Sequence, residues 1–213
     1  MNFARARERM VEEQLVNRGI SDLRVLAAVS KVERHRFVEE ALQVRAYDDK
    51  PLPIGERQTI SQPYMVGLMT QALELRGHER VLEIGTGCGY QTAVLAELVA
   101  TVYTVERLAV LAAAARTTLE AVGYTNVVTR IGDGSLGWPE EGPFDAILVT
   151  AGTPQVPRPL VAQLGMGARL VFPIGEEELQ TLVRIRKEEQ GLQEEYFGDC
   201  RFVKLVGRYG WRR

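Results

Sequence analysis

The chain is poor in the residue types that build disulfides and most transition-metal sites. Its 213 residues include two cysteines, Cys88 and Cys200, and two histidines, His35 and His78. Two cysteines are too few for a disulfide framework, and their positions relative to the histidines do not match a metal-binding motif. We therefore expect no bound metal and a reducing, cytoplasmic setting.

Long apolar runs and an excess of one charge are also missing. No uninterrupted apolar stretch approaches the about 18 residues of a membrane span, and the charged N-terminal residues are not followed by the apolar segment of an export signal. The 26 Lys and Arg against 28 Asp and Glu give a net charge of −2. This balance does not favour nucleic acid or an anionic membrane as partner. We expect a soluble, monomeric enzyme that acts on peptides or small molecules.

The most informative feature present is a glycine-rich motif that follows an apolar run. Residues 81–84 are Val-Leu-Glu-Ile, and Gly85, Gly87 and Gly89 alternate directly after them. Such a pattern is typical of a buried strand that turns sharply into a helix, where a ligand can approach backbone N–H groups. Glu106 lies 21 residues after Gly85 and ends the next apolar run. At that distance an acid can accept hydrogen bonds from the hydroxyls of a ribose.

The dinucleotide fingerprint is incomplete, because its third glycine would fall on Tyr90. This argues against a bound pyrophosphate. The glycine loop instead resembles motif I of the S-adenosylmethionine-dependent methyltransferases, whose cofactor presents a methionine carboxylate to the loop. Close packing of a strand against a helix is the alternative explanation for the glycines alone.

Apolar strands alternate with helical patterns through the middle of the chain. The predicted strands are 80–84, 101–105, 127–131, 146–150 and 168–172, and the predicted helices between them are 90–99, 107–122 and 156–164. This alternation predicts a doubly wound, mostly parallel α/β sheet that binds ligands at the carboxyl ends of its strands.

The two ends of the chain depart from this alternation. Two short helices are predicted before residue 31, then an irregular loop over 46–61 and a helix that begins at Pro63, with Ser61 or Gln62 as its cap. At the other end, 179–186 and 201–206 are predicted as strands, at least one of them antiparallel. We expect one domain over 1–213: a helical extension with a loop (1–75), a cofactor-binding core (76–175) and C-terminal strands (176–213).

Two further residues are candidates for the site. Asp133 stands between Gly132 and Gly134 after the third predicted strand, where its carboxylate can accept a hydrogen bond from an adenine amino group, although such a sequence is often a plain turn. Trp138 can flank a ring, but we favour a place in the core.

No catalytic base is evident. His35 lies in a basic stretch and His78 precedes the first strand, at the wrong end of the sheet. A carboxylate acceptor is already ionised at pH 7 and needs no base, so this absence favours a carboxyl acceptor, although an Asp or Glu can also serve as base.

The loop over 53–64, Pro-Ile-Gly-Glu-Arg-Gln-Thr-Ile-Ser-Gln-Pro-Tyr, decides between families. Together with the glycine motif, Gly132-Asp133-Gly134, Phe144 to Ile147, Gly167 to Gly175 and Arg201 to Val203, it closely resembles the protein-L-isoaspartate O-methyltransferase family over nearly the whole chain. The T-I-S-x-P element is far more specific than the glycine loop.

The resemblance implies a repair enzyme that methylates the free α-carboxyl of L-isoaspartyl residues, giving an ester that closes to a succinimide. It implies S-adenosyl-L-methionine as cofactor and S-adenosyl-L-homocysteine as product. The implied cofactor residues are Thr59, Gly85, Thr86, Gly87, Cys88, Gly89, Glu106, Arg107, Asp133 and Gly134. The implied substrate residues are Ile54, Gly55, Thr59, Ser61, Phe202 and Val203, with Ser61 as the catalytic serine.

Two residues depart from the family pattern. Cys88 stands where a serine is common, and Lys204 stands where a proline is common. The first is nearly isosteric and should alter one hydrogen bond, whereas the second is expected to affect peptide preference.

Three other functions remain open from the residues alone. They are a dehydrogenase using the same crevice, a methyltransferase for nucleic acid or a small molecule, and a non-catalytic adenosine-binding module. Tyr90 disfavours the first. The neutral charge and the T-I-S-x-P loop disfavour the second, because a nucleic-acid enzyme would be expected to carry a basic stripe.

Overall fold

The N-terminal part of the computed structural model is helical, and the structure describes residues 2–212. Helix α1 (Phe3–Arg9) continues as a π-helical turn (Met10–Leu15) and a 3₁₀ turn (Val16–Arg18), and it ends at Gly19 in the left-handed conformation. Asp22 caps α2 (Leu23–Lys31) by accepting bonds from the N–H groups of Arg24 and Val25. The predicted pair of short helices is confirmed, with the π-helical turn as an addition.

The segment between these helices and the sheet is more ordered than the predicted loop. After 3₁₀ turns at Arg34–Phe37 and Glu40–Arg45, the strands β1 (Leu52–Pro53) and β2 (Thr59–Ile60) pair as an antiparallel ribbon. Helix α3 (Pro63–Ala72) begins at Pro63, as predicted. The ribbon escaped detection because each strand is two residues long and carries no period.

The central sheet contains seven strands. Their bounds are β3 (Arg80–Ile84), β4 (Thr101–Glu106), β5 (Val127–Ile131), β6 (Phe144–Val149), β7 (Leu164–Gly175), β8 (Gln180–Glu188) and β9 (Gly191–Cys200). Helices α4 (Tyr90–Ala96), α5 (Ala109–Ala121) and α6 (Arg158–Ala162) connect the parallel strands. The order in the sheet is β5-β4-β3-β6-β7-β8-β9, with β8 and β9 antiparallel to their neighbours. The doubly wound, mostly parallel fold with a helical extension is confirmed.

The prediction of a strand over 201–206 is wrong. The chain reverses at Gly191 and returns immediately as β9, whose residues are nearly all exposed and therefore lack an apolar pattern. Residues 201–206 instead cross the carboxyl edge of the sheet. Gly152 donates to the carbonyl of Val203 (2.7 Å) and accepts from the N–H of Leu205 (2.9 Å). The apolar pattern that suggested a strand comes from packing against that edge, where Leu205 is buried.

The N-terminal extension shares an apolar core with the sheet. All seven residues of α4 are buried, since α2 packs against α4 on the side away from the sheet and Gln91 of α4 donates to the Thr70 hydroxyl of α3 (3.0 Å). The Arg24 guanidinium donates to the carbonyls of Leu75 and Leu98, 2.8 Å each. Burial of the apolar faces of these helices stabilises the fold by about 25 cal/mol per Å² of apolar surface. The extension therefore holds the segment between α2 and α3, which contains β1 and β2, above the carboxyl ends of the strands.

No helix in residues 2–212 is long and apolar enough to cross a membrane.

Candidate active site

The strand order reverses between β3 and β6, and a cleft of about 800 Å³ opens there at the carboxyl ends of the strands. The chain proceeds from β3 outward to β5 and then crosses back to β6 on the other side of β3. The two connections leave in opposite directions, so the ends of β3 and β6 are not covered by a crossover. Residues 85–88 of the glycine loop, Glu106, Arg107 and Gly134 line this cleft, which we call the inner cleft, whereas Gly89 does not line it.

The glycine loop is shaped by close contacts that only glycine allows. Gly85 has φ +97°, and a Cβ there would lie 2.4 Å from the Thr150 hydroxyl. Gly87 has φ +55°, and a Cβ there would meet Ile54 at 3.3 Å. The loop thus presents backbone to the cleft at the start of α4, as the sequence predicted.

Glu106 ends β4 and faces the inner cleft. Its Oε2 accepts a bond from the N–H of Gly87 (2.9 Å), and its Oε1 accepts one from the N–H of Leu108 (2.9 Å). A carboxylate has about four acceptor positions, so each oxygen keeps capacity for one further donor. The side chain therefore braces the loop and can still accept bonds from a ligand's hydroxyls.

Asp133 does not line the inner cleft, and its carboxylate is largely engaged by the protein. Its Oδ1 accepts bonds from the N–H and the hydroxyl of Ser135, and its Oδ2 accepts one from the N–H of Arg208 (2.8 Å). One acceptor position on Oδ2 remains. The neighbour Gly134 lines the cleft, and a Cβ there would lie 2.5 Å from Ile84. Trp138 packs edge-on against Tyr103 in the core, as we favoured.

A further carboxyl, that of Glu83, supports the glycine loop and was not identified as a site residue from the sequence. Glu83 is fully buried in β3, and its Oε2 accepts bonds from the hydroxyls of Thr92 (2.5 Å) and Thr104 (2.6 Å). Burial raises the pKa of Glu83 to about 8, so the carboxyl is neutral at pH 7. Thr104 also bonds to Thr86 of the loop (2.6 Å). Glu83 therefore supports the loop without adding a charge to it.

Burial also raises the pKa of the Cys88 thiol to about 11, against the opposing effect of Arg34. The side chain is therefore a neutral thiol at pH 7. It is a small, weakly hydrogen-bonding group in the loop rather than a nucleophile.

An outer cleft of about 1380 Å³ adjoins the inner one. Its walls include Tyr64, Met65, Phe202 and the acidic turn Glu177–Glu178. Within residues 2–212, five residues line both clefts: Thr59, Ser61, Thr150, Val203 and Lys204. The boundary between the two clefts is thus formed by β2, the end of β6 and the C-terminal segment.

Ser61 is at this boundary and does not cap α3. The cap position is Gln62, whose side chain makes no capping bond and donates instead to the carbonyl of Asp49 (3.2 Å). Among residues 2–212 the Ser61 hydroxyl has no hydrogen-bond partner, and it is only partly buried. Its hydroxyl is therefore free to donate to a ligand.

The remaining predicted residues lie at different distances from the clefts. Val203 lines both, whereas Phe202 lines the outer one. Ile54 packs beneath the glycine loop, and Gly55 lies at the exposed tip of the ribbon, where Glu56 and Arg57 also have positive φ. Neither Ile54 nor Gly55 contributes to the walls of the two clefts.

Thr150 is the main residue that sequence reasoning missed. Its hydroxyl donates to the carbonyl of Gly85 (2.7 Å), and its N–H donates to the carbonyl of Ile84 (2.9 Å). It follows directly after β6, and the position after a strand end was the signal that could have identified it.

The two histidines are away from both clefts. The His35 ring stacks on Phe3 at 4.0 Å and bonds to the Tyr47 hydroxyl (2.8 Å), and His78 is exposed in the turn before β3. Within the range 2–212, no group of three or more His, Cys, Asp or Glu side chains is arranged to hold a metal ion.

Comparison with known proteins identifies the family of this chain. Residues 5–210 match the family model described as protein-L-isoaspartate(D-aspartate) O-methyltransferase. The chain belongs to this family. It is 58% identical over 211 residues to protein-L-isoaspartate O-methyltransferase 1 of Syntrophobacter fumaroxidans, with 99% of each chain covered. It is 60% identical to the protein-L-isoaspartate O-methyltransferase of Trichlorobacter lovleyi, covering 100% of this chain and 98% of that one.

Solved structures give the same result. A protein-L-isoaspartate O-methyltransferase structure superposes with a TM-score of 0.86 at 31% identity, over 96% of this chain and 67% of that one. A Plasmodium falciparum structure with the same family description, in complex with S-adenosyl-L-homocysteine, has a TM-score of 0.81 at 27% identity, over 94% and 98%. The predicted family, enzyme class and methyl-donor cofactor are confirmed.

We expect Glu106→Ala to weaken binding of S-adenosyl-L-homocysteine by about ten- to a hundredfold, because it removes a charged acceptor worth about 1.5 to 3 kcal/mol. The loss of affinity includes the effect of removing the hydrogen bond from Gly87 to Glu106, as well as any bond to the ligand. Titration calorimetry measures the affinity. Glu140→Ala, which removes an exposed carboxylate outside both clefts, is the control and should bind normally. An unchanged affinity in folded Glu106→Ala would contradict the assignment.

We expect Glu83 to make stability fall as pH rises. Its pKa is higher in the folded state than in the unfolded chain, so the folded protein retains a proton that the unfolded one releases between about pH 4.5 and 8. The free energy of unfolding should therefore decrease over that range, by an amount on the order of 1 to 4 kcal/mol from this group, and level off above it.

Glu83→Gln, which is neutral at every pH, tests this expectation. Urea unfolding of both proteins at about pH 5 and pH 8 should show that the native protein loses stability relative to the variant at the higher pH. A difference that does not change with pH would show that Glu83 is ionised in the folded state.

Proposed function

We propose that this chain transfers a methyl group to the free α-carboxyl of L-isoaspartyl residues in damaged proteins and peptides, with Ser61 orienting the acceptor. The resulting ester closes to a succinimide. The observation that carries the proposal is the boundary between the two clefts, where Thr59 and Ser61 face both a nucleoside-type site and a cleft open to peptides.

The inner cleft has the donors and acceptors that S-adenosyl-L-methionine requires. The glycine loop over 85–89 would hold the methionine part, Glu106 the ribose, and Asp133 with Gly134 the adenine. Supporting this are the backbone exposed by Gly85, the free acceptor positions on Glu106 and the one left on Asp133. When bound, the cofactor would supply a sulfonium methyl group, with S-adenosyl-L-homocysteine as the leaving group when an oxygen attacks the methyl carbon in line.

The acceptor needs little activation from the protein. An α-carboxylate is ionised at pH 7, and its oxygen forms the new bond to carbon as the sulfur–carbon bond breaks, with no proton to remove. This agrees with the walls of both clefts, which contain no histidine among the residues that the structure describes, 2–212. Orientation then accounts for much of the rate, and alignment of two reactants contributes up to about 7 to 11 kcal/mol.

The outer cleft is suited to an extended peptide. The bonds of Val203 and Leu205 to Gly152 use one side of the C-terminal segment, so the N–H and C=O of Lys204 point away from Gly152. Within residues 2–212 those two groups have no partner. They can therefore pair with a peptide main chain that lies along the segment, in the manner of strand addition.

The cysteines and the net charge support the expected compartment and substrate class. Both cysteines are free thiols, which agrees with a reducing cytoplasm, and the balanced net charge agrees with peptide rather than nucleic-acid substrates.

We expect methylation of an L-isoaspartyl peptide and no comparable methylation of the same peptide with normal aspartate. The extra methylene in the isoaspartyl backbone moves the carboxylate relative to the main chain, and a site that fixes both distinguishes the two. Transfer of a labelled methyl group to each peptide measures this. Equal rates would refute the repair function, and transfer to small molecules or nucleic acid instead would support the other methyltransferase class.

We expect Ser61→Ala to lower the single-turnover rate by about ten- to a hundredfold, the effect of one hydrogen bond of about 1.4 to 2.7 kcal/mol felt in the transition state. Ser61→Asp should be slower still, because a second carboxylate repels the acceptor. Since Ser61 does not cap α3, both variants should keep the native melting temperature. A Ser61→Asp enzyme with near-normal turnover would show that Ser61 does not contact the acceptor.

A further inference from the structure

One charged side chain lies where the two clefts meet. Of the five residues within 2–212 that line both clefts, Lys204 is the one with an ionised side chain. The other residues at the boundary are small, polar or apolar. Lys204 therefore places a positive charge closer to the acceptor position than the other charged residues of the outer cleft, which line that cleft alone.

The ammonium of Lys204 already has a carboxylate partner in the free protein. Its Nζ forms an ion pair with Oε1 of Glu177 and lies 5.7 Å from the centroid of the Trp211 ring. The side chains of Lys204 and Glu177 are 38% and 54% exposed. Such a solvent-exposed ion pair contributes little to stability and exchanges partners easily.

The backbones on both sides of this pair are held independently of it. Gln180 is buried, and its side chain accepts a bond from the N–H of Phe202 (2.8 Å) while donating to the carbonyl of Glu177 (3.0 Å). Val203 and Leu205 are bonded to Gly152. Glu177 can therefore rotate away from Lys204 without movement of either segment.

We propose that Lys204 selects isoaspartyl substrates that carry an acidic residue next to the isoaspartyl residue, with Glu177 occupying the position of that acid in the free enzyme. This inference rests on the proposed function. A peptide that pairs with the main chain of Lys204 has its neighbouring side chains next to the Lys204 ammonium. An acidic side chain there replaces Glu177 and keeps the charge paired, whereas a basic side chain cannot replace Glu177 and is repelled by the ammonium of Lys204.

The test uses three isoaspartyl peptides that are identical except for one residue beside the isoaspartyl residue, which is Glu, Gln or Lys. Separate sets vary the residue before and the residue after it. For the native enzyme we expect kcat/KM to be about three- to tenfold higher for the Glu peptide than for the Lys peptide in at least one set, the size expected for a partly exposed charge pair. The ratio should approach one at about 0.5 M salt, where such pairs are screened.

The decisive variant exchanges the charges of Lys204 and Glu177. Lys204→Glu combined with Glu177→Lys keeps an ion pair and should reverse the preference, so that the Lys peptide becomes the better substrate. Arg130→Glu combined with Glu140→Lys exchanges another pair of similar exposure, 40% and 66%, outside both clefts. It is the matched control and should leave the native ratio unchanged.

The outcomes separate this proposal from the repair function itself. The Gln peptide reports the function, and failure to methylate it in the native enzyme would refute both. If it is methylated but the exchange variant keeps the native ratio, Lys204 does not select the neighbouring residue. If Lys204→Gln lowers kcat equally for all three peptides, Lys204 acts on the acceptor carboxylate, and the proposal is likewise overturned.

Discussion

The site depends on how one short loop is held at the reversal point of the sheet. The loop after β3 receives bonds from both neighbouring strands: Gly87 donates to Glu106 at the end of β4, and Thr150 after β6 donates to the carbonyl of Gly85. The neutral Glu83 supports it from below through Thr104. Because these contacts come from three strands of one sheet, the loop cannot shift without breaking hydrogen bonds at the carboxyl ends of those strands. Its backbone is therefore preorganised for a ligand.

Because the glycine loop is held in place, selectivity for the acceptor depends on the segments that cover the two clefts. The ribbon of β1 and β2 brings Thr59 and Ser61 to the boundary from the N-terminal side, and the segment over 201–206 brings Val203 and Lys204 from the C-terminal side. Both are short segments with few regular hydrogen bonds, and both are anchored by neighbouring structure. The division places cofactor binding on the sheet and acceptor recognition on the two ends of the chain, which is a common way for a scaffold to carry function on its loops.

Glu83 and Glu106 are both buried carboxyls, and their different hydrogen-bond partners give the two like groups different environments. They lie in adjacent strands, Glu83 inside β3 and Glu106 at the end of β4. Glu83 has two hydroxyl donors and no contact with solvent, and burial raises its pKa to about 8. Glu106 receives two backbone N–H groups and faces the cleft. Because burial favours the neutral form of Glu83, the repulsion that two neighbouring carboxylates would cause is avoided.

The sequence by itself determined the parallel core, the glycine loop and Glu106, because buried strands, glycine turns and strand ends leave local patterns. The strands over 80–84 and 127–131 were predicted with their observed bounds. The tertiary structure alone decided three other features: the exposed strand β9, the path of 201–206 across the sheet edge, and the position of Thr150 beneath Gly85. It also decided that Ser61 faces both clefts rather than capping α3. These depend on contacts between residues far apart in the chain, and an exposed edge strand or a hydroxyl aimed at a distant carbonyl has no periodic signature in the sequence.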